Sequence, residues 1–272
     1  MITIGIDPVI IRLGHFALRW YGVIVALAVG VGLWLAAREG RRKGLRPEHF
    51  SDAATWVVIA GFVGARLLHV IDHWPHEYAA NPLRILYVWE GGLAIWGAVL
   101  GGLAALAVFA WRRGLSLGWL ADIAAPGLVL AQAIGRVACI ITGDAMGRST
   151  SGPFGLAYTS PEAMVPALGV YYTPTPIYEI LMNLAIFGVI WRLRRWTLPN
   201  GALFLLYLLL YSTGRFVISF WSSYRTVAFG LNQAQLISLA ALAIGIPSLG
   251  LVLWAGRRAG RMTTGTGKAA TQ

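Results

Sequence analysis

The stretch GALFLLYLLLYSTGRFVISFW, residues 201–221, decides the fold class, because it is apolar along nearly its whole length. A second stretch, WYGVIVALAVGVGLWLAA at residues 20–37, has the same character. Each is long enough to cross a bilayer, which takes about 20 apolar residues in an α-helix. Neither alternates apolar and polar residues with period two, so both indicate membrane-spanning helices and not the strands of a barrel.

The composition agrees with a chain that lies mostly in lipid. Of its 272 residues, 57% are hydrophobic and 12% are charged, and the mean hydropathy is +0.66. A soluble domain carries about 25% charged residues. The net charge of +11 is better explained by basic loops that set membrane topology than by nucleic-acid binding. The only cysteine, Cys139, excludes a disulfide framework and a cysteine-based metal cluster.

Seven predicted spans give an all-α membrane protein with a single polytopic domain over residues 1–272. The spans are residues 20–37, 54–72, 91–110, 117–141, 175–191, 201–221 and 233–255. Three segments lie on the outer side: an interfacial arm at 1–18, an aromatic segment at 73–90 and a long external loop at 142–174. Residues 262–272 are predicted to be a disordered tail. The amino terminus lacks the basic start and cleavage site of a signal peptide, so we expect the first span to direct insertion.

Basic residues indicate the orientation of the spans. Fourteen of them lie in the loops of one side and in the tail, and five lie on the other side, namely Arg12, Arg19, Arg84, Arg148 and Arg225. The positive-inside rule then predicts an external amino terminus and a cytoplasmic carboxyl terminus.

Three arginines lie within predicted spans, and such residues are costly and indicate a functional site. Arg66, Arg136 and Arg215 each lie five or six residues below the predicted outer end of a span, about 8–9 Å deep at 1.5 Å per residue. Guanidinium groups bind phosphate oxygens in pairs, so we expect a phospholipid head group. The alternative is that each arginine pairs with a buried carboxylate, for which Glu90, Asp144 and Glu179 lie near the same depth.

Neighbouring residues extend this candidate site. Tyr207, Tyr211 and Arg215 recur at every fourth position and share one helix face. EGGL at 90–93 and PTPIYE at 174–179 each place a helix amino terminus on the outer side, where free backbone N–H groups favour an anion. The same glycines and prolines also serve as plain helix-start signals, and the residues leave both interpretations open. In AIGRVACIITGDAMGRS, residues 133–149, charged groups surround a glycine-rich helix end, which predicts close approach to a ligand.

Several ordered motifs together resemble the bacterial prolipoprotein diacylglyceryl transferases over about residues 8–255. The family signature Gly-Arg-x-Gly-Asn-Phe-x-Asn-x-Glu-x-x-Gly aligns with residues 135–147, where Arg136 and Gly147 match and Gly143 stands at a position that the signature leaves open. The remaining matches are Trp20, Tyr21, Gly22, Gly64, Arg66, Asp122, Pro174, Thr175, Tyr178, Glu179, Tyr211, Arg215, Phe216 and Gln235.

This chain departs from the family pattern at several positions, as a divergent member. The signature asparagines are Cys139 and Thr142, and the signature glutamate is Asp144. Trp96 stands where the third span of the family has His or Tyr, and Ser219 where an acidic residue follows the arginine of the sixth span. Because an indole does not accept a proton, Trp96 excludes a general base at that position and leaves the identity of the base open.

The resemblance implies a multi-pass enzyme of the bacterial inner membrane that needs no cofactor. It would transfer the diacylglyceryl group of phosphatidylglycerol to the lipobox cysteine of a prolipoprotein and release glycerol phosphate, with membrane lipids and no nucleic acid as further partners. The catalytic residues implied are Arg136 and Arg215 as phosphate clamps, with Glu179 and Asp144 as bases or arginine orienters. The head-group residues implied are Arg136, Arg66, Tyr21, Tyr211 and Gly147.

Two alternatives remain at this point: a non-catalytic paralogue, and a membrane protein that binds or transports lipids or anions. The chain lacks the internal repeat that transporters show. We predict no metal site, because His69 and His73 are four residues apart but His73 lies at a span boundary and spacing fixes no acidic partner.

Overall fold

Helices dominate the computed structural model, which describes the backbone of residues 1–14, 16–88 and 91–266. In these ranges the α-helices are α1 Trp20–Arg42, α2 Pro47–Asp72, α3 Ile95–Arg113, α4 Leu117–Thr142, α5 Thr175–Leu193, α6 Ala202–Ile218 and α7 Gln233–Thr266. Six of them are long and apolar enough to cross a membrane, and α6 is a shorter apolar helix of 17 residues. The prediction of a multi-helix membrane protein is confirmed at that level.

Helix ends differ from the predicted span ends for local reasons. Charged, helix-favouring residues extend α1 to Arg42, because hydropathy marks the apolar stretch and not the end of the helix. Conversely, α3 begins at Ile95 and not at residue 91, since Gly91 and Gly92 have φ values of +93° and +78°, outside the helical region. The predicted disordered tail starts at residue 262, whereas α7 continues to Thr266. Residues 267–272 of that tail lie outside the described residues.

Short strands are what the all-α prediction missed. The described residues form three two-stranded sheets. The strands are β1 Ile2–Ile4, β2 Val9–Leu13, β3 Phe16–Arg19, β4 Leu156–Tyr158, β5 Thr226–Ala228 and β6 Leu231–Asn232. β1 pairs in parallel with β4, and the other two pairs, β2 with β3 and β5 with β6, are antiparallel. The predicted interfacial arm and the predicted external loop are therefore joined by backbone hydrogen bonds.

Contacts divide the chain into two compact units, of which the first contains residues 1–36 and those from 124 onward. Its main core lies between α4, α5 and α6 and includes Val129, Ile190 and Leu203. Residues 142–174 build a second small core from Met146, Leu156, Tyr158 and Tyr172. The Tyr158 hydroxyl donates to the Ile140 carbonyl oxygen at 2.6 Å, and burial raises the pKa of this phenol. The long loop is thus a packed element.

The second unit, residues 37–123, is built on the pairing of α2 with α3. A Cβ atom added to Gly64 would collide with the Gly97 carbonyl oxygen, and one added to Gly97 would collide with that of Gly64. Small residues let the two backbones touch, as is usual between helices in membranes. At the other end of this unit the Lys43 ammonium lies 3.9 Å from the buried Asp122 carboxylate, and burial lowers the pKa of Lys43.

Candidate functional site

The centre of the candidate site is Glu179, held between Arg136 of α4 and Arg215 of α6. α5 begins at Thr175 after Pro174, which places Glu179 in its second turn with 1% of its surface exposed. Arg136 Nε lies 2.5 Å from Glu179 Oε2, and Arg215 Nη1 donates to Oε1. The first unit therefore brings together three residues that the sequence analysis singled out.

The charges of this cluster do not cancel. Two guanidinium groups face one carboxylate, so the cluster keeps a net charge of about +1 at neutral pH. The Arg136 and Arg215 side chains are 23% and 14% exposed, whereas the Glu179 side chain between them is 1% exposed. The expected alternative, pairing with a buried carboxylate, is thus correct for both arginines, yet one positive charge remains for an anion.

Arg215 has a further partner that the sequence analysis missed. Its Nη2 donates to the Tyr224 hydroxyl at 3.1 Å, and its guanidinium carbon lies 5.4 Å from the Tyr224 ring centroid. Tyr224 lies between α6 and β5, where no helical spacing could link it to Arg215. Ser219, in the position of the family's acidic residue, donates instead to the Arg215 backbone oxygen at 2.6 Å. The carboxylate that pairs with Arg215 is therefore Glu179 of α5 and not a residue of α6.

Two tyrosines and the only cysteine lie around Arg136. Arg136 Nη1 approaches Cys139 Sγ at 3.7 Å and interacts electrostatically with Tyr211. Tyr211 packs 6.1 Å from the ring of Tyr207, whose hydroxyl donates to Gln132 at 3.0 Å. Tyr21 lies in electrostatic range of Arg136, Cys139 and Asp144 and is 44% exposed. Two of the predicted head-group residues, Tyr21 and Tyr211, therefore lie near Arg136.

The chain after α4 is shaped by two glycines. Gly143 has a φ of +75°, which ends the helix and turns the chain toward Asp144. The Asp144 amide donates to Thr142 Oγ1 at 3.4 Å. Gly147 donates its amide to the Thr173 carbonyl at 2.8 Å, and a Cβ atom there would collide with the Trp221 carbonyl. The structure gives Gly147 a packing role, and its predicted contact with a head group stays a prediction.

Asn183 is a second residue that the sequence analysis missed. It follows Glu179 by one helical turn on α5 and is 1% exposed. Its side-chain amide has no hydrogen-bond partner among the described residues. A buried amide of this kind is costly unless a ligand or water satisfies it. The sequence feature that could have identified Asn183 is that it is a lone asparagine within an apolar helix.

Arg66 belongs to the second unit and is bound in a different way. Its Nε donates to the Ile85 carbonyl at 2.8 Å, Nη2 to Arg84 at 2.6 Å, and Nη1 to Gly91 and Gly92 at 2.7 and 3.0 Å. Four of its five N–H groups are therefore used by backbone oxygens. Glu90, one of the carboxylates considered for the arginines, lies outside the described residues. Trp96 lies in the first turn of α3 and is 44% exposed.

Comparison with known proteins identifies the family. The model of the prolipoprotein diacylglyceryl transferase family matches residues 8–251. Among curated relatives, the phosphatidylglycerol–prolipoprotein diacylglyceryl transferase of Geobacillus kaustophilus is 41% identical and covers 93% of both chains. The proteins of that name from Shouchella clausii and Thermosynechococcus vestitus are each 37% identical, over 93% and 86% of this chain and 91% and 88% of their own. The chain belongs to the prolipoprotein diacylglyceryl transferase family.

Proposed function

We propose that this chain transfers the diacylglyceryl group of phosphatidylglycerol to the thiol of a lipobox cysteine in a prolipoprotein. The names of its relatives contain both substrates and the transferred group. The observation that carries the proposal is the buried cluster of Arg136, Glu179 and Arg215, with its uncancelled positive charge. It lies on helices apolar enough for a membrane, where a phospholipid is the available anion.

The chemistry of the transfer explains why a positive cluster is useful. The cysteine sulfur attacks the glyceryl carbon bonded to the phosphate oxygen, a C–S bond forms and that C–O bond breaks. The electron pair of the broken bond goes to glycerol phosphate, so the phosphate charge rises from −1 toward −2. Fixed guanidinium groups stabilise that growing charge more than the charge of the bound lipid, which lowers the barrier.

We assign the phosphate to the accessible N–H groups of Arg136 and Arg215. Glu179 has a guanidinium at each of its oxygens, so it acts as the positioning residue that aims both arginines. Tyr21 and Tyr211 border this space and shape the head-group pocket. Arg66 acts through the backbone segments that it binds, because most of its donors are already engaged.

The proton of the attacking thiol needs an acceptor. Asp144 is our candidate, because it follows the turn at Gly143 and lies in electrostatic range of Cys139 and Tyr21. A free thiol has a pKa of about 8.5, which nearby cations lower. A weak general base is therefore sufficient to deprotonate the thiol, and the base need not stand at position 96. Cys139 itself is buried, and we assign it a packing role.

We also propose that α6 is a seventh membrane span, with the amino terminus outside and the carboxyl terminus in the cytoplasm of a bacterial cell. Fourteen basic residues in the loops and tail of one side against five on the other support this orientation. The site then opens to the outer leaflet of the inner membrane, where a secreted prolipoprotein is held by its signal segment.

A reconstituted assay tests the transfer. Purified protein in phosphatidylglycerol liposomes is incubated with a lipobox peptide, and mass spectrometry is used to find the thioether-linked diacylglyceryl product. We expect product with the cysteine peptide and none with the matched serine peptide, whose hydroxyl is a far weaker nucleophile. If a family member forms product under the same conditions and this chain does not, the transferase proposal is wrong. Lipid binding without product would then indicate a non-catalytic paralogue.

A further inference from the structure

Three metal-ligating side chains converge at the end of α2, and none of the three has a role in the proposed transfer. His69 lies in the last turn of α2, His73 caps the helix, and Glu77 lies in the π-helical turn Trp74–Tyr78 that follows. One ligand atom from each lies within 4.8 Å of the others. We infer that His69, His73 and Glu77 form a binding site for a divalent transition-metal ion of the Zn²⁺ class.

The distances suit such an ion. Zn²⁺ binds imidazole nitrogen and carboxylate oxygen at about 2.0–2.2 Å, so tetrahedral ligands lie about 3.4 Å apart. His69 Nε2 and Glu77 Oε2 are 3.8 Å apart. The two imidazole rings are stacked, with centroids 4.1 Å apart and planes inclined by 24°. Binding therefore requires one ring and the exposed Glu77 side chain to rotate until the three ligand atoms face one ion. Two nitrogens and one oxygen are a donor set typical of zinc.

The backbone holds these side chains in register. His69 and His73 are four residues apart, and the His73 amide donates to the His69 carbonyl at 3.0 Å. The Glu77 amide in turn donates to the His73 carbonyl at 3.0 Å, so the π-helical turn carries the carboxylate over the same face. His73 Nδ1 lies 3.1 Å from the His69 carbonyl oxygen. A protonated Nδ1 donates there and leaves Nε2 as the ligand, the arrangement in which an outer partner orients a metal-bound imidazole.

The local electrostatics also favour a cation. The carbonyl groups at the carboxyl end of a helix carry partial negative charge, and this site lies at the carboxyl end of α2. Asp72 adds a carboxylate 3.6 Å from His73 Nδ1. Arg66 is an opposing charge close to the site, since a Cβ atom on Gly92 would touch both Arg66 Nη1 and His69 Nε2. The dipoles of the four carbonyl oxygens that it binds offset part of its positive charge.

A bound ion would fasten the π-helical turn to α2. The three protein ligands leave a fourth position of a tetrahedral ion open to solvent, because Glu77 is exposed. The sequence analysis missed this site because it took His73 as the boundary of the second predicted span. It did not follow the four-residue spacing of His69 and His73 one step further, to Glu77.

Metal binding to the full-length protein tests the inference. The protein, freed of any affinity tag and of metal, is titrated with Zn²⁺ in detergent against a chelating dye, with Mg²⁺ as a control ion that prefers oxygen ligands. We expect one saturable Zn²⁺ site and a rise in melting temperature with Zn²⁺ alone. Co²⁺ in its place should give the absorption bands of a tetrahedral N/O site.

Variants separate this site from adventitious binding. His73→Ala and Glu77→Gln should each weaken Zn²⁺ binding by at least about 10-fold, the lower range found even for outer partners. His76→Ala is the matched control, an exposed neighbouring histidine that is not one of the three ligands, and it should bind as the unaltered chain does. Glu77→Gln keeps the shape of an exposed side chain, so it reports binding without a folding defect. Equal binding by Glu77→Gln and the unaltered chain, or an equal loss in His76→Ala, would overturn the site whatever the outcome of the transferase assay.

Discussion

Two sets of buried arginines look alike in the sequence and differ in the structure. Arg136 and Arg215 share the single carboxylate of Glu179, and their side chains are partly exposed. Arg66 directs its guanidinium at four backbone oxygens and is 7% exposed. The first arrangement has charge and donors to offer a ligand. The second has few donors to offer, because the protein itself uses them.

This difference separates two reasons for keeping an arginine in an apolar helix. A guanidinium that binds carbonyl oxygens satisfies backbone groups that no helix or sheet satisfies, and so it stabilises an irregular segment. A pair of guanidiniums around one carboxylate is held rigidly and remains positive, which suits an anion whose charge grows during a reaction. We therefore expect substitutions in the two sets to affect different measurements.

The largest effect is expected for Arg136→Ala. The variant loses a donor to the phosphate while Glu179 stays paired with Arg215, so the fold should persist. We expect turnover to fall by about 10²–10³-fold, as for loss of one oxyanion donor, and mainly in kcat because the phosphate charge grows in the transition state. Initial rates at saturating phosphatidylglycerol measure this. Arg112→Ala, an exposed arginine at the end of α3, is the matched control and should keep full activity.

A change confined to KM would contradict this assignment. It would mean that Arg136 binds the lipid equally well before and during the reaction. Arg215→Ala should behave like Arg136→Ala if both arginines hold the phosphate. A loss in only one of the two variants would assign the phosphate to that arginine and leave the other as a partner of Glu179.

The next effect is on stability and follows from Glu179→Gln. Without the carboxylate, two guanidinium groups face each other in a buried place, and breaking a buried ion pair costs about 3–5 kcal/mol. Anionic phosphatidylglycerol should restore part of that loss, since its phosphate replaces the missing charge. Unfolding of the variant in micelles should therefore depend more steeply on the phosphatidylglycerol fraction than unfolding of the unaltered chain.

Glu162→Gln is the matched control for this measurement. Glu162 pairs with Arg12 at 2.6 Å, but the two side chains are 35% and 58% exposed. Exposed pairs contribute about 0–1 kcal/mol, so this variant should lose little stability and gain no special dependence on anionic lipid. Equal behaviour of the two variants would contradict the idea that the cluster around Glu179 is a buried anion site.

The sequence predicted those features of the molecule that depend on the residues of a single helix. Apolar length predicted the helices, and the charged positions within them predicted Arg136, Glu179 and Arg215 as site residues. The pairing of β1 with β4 was not predictable, because three-residue strands carry no periodic signal and their partner is about 150 residues away. The same limit hid Tyr224, which reaches Arg215 from a loop.

Arg66 shows a further limit of sequence reasoning. The position of Arg66 within a predicted span indicates that polar groups must bind its guanidinium. It does not indicate which groups these are. The compensating groups are backbone oxygens of residues 84, 85, 91 and 92. Every residue type carries a backbone oxygen, so no residue type in the connector signals the contact. The glycine pair is the one related feature of the sequence, because Gly91 and Gly92 adopt a left-handed conformation that costs glycine little.

Arg66→Met should give the smallest effect on chemistry and a clear one on stability. Methionine fills similar space but leaves four carbonyl oxygens without their donor, and each unsatisfied buried group costs about 1–3 kcal/mol unless water reaches it. We expect a loss of about 2–4 kcal/mol in unfolding free energy and faster hydrogen exchange in residues 82–92. Arg113→Met, which breaks the half-exposed pair with Asp52, is the control and should cost under about 1 kcal/mol. Turnover by the folded fraction of Arg66→Met should fall by less than that of Arg136→Ala. If turnover instead fell as far while stability and exchange stayed unchanged, Arg66 would have to bind the phosphate directly, and the distinction between the two sets of arginines would fail.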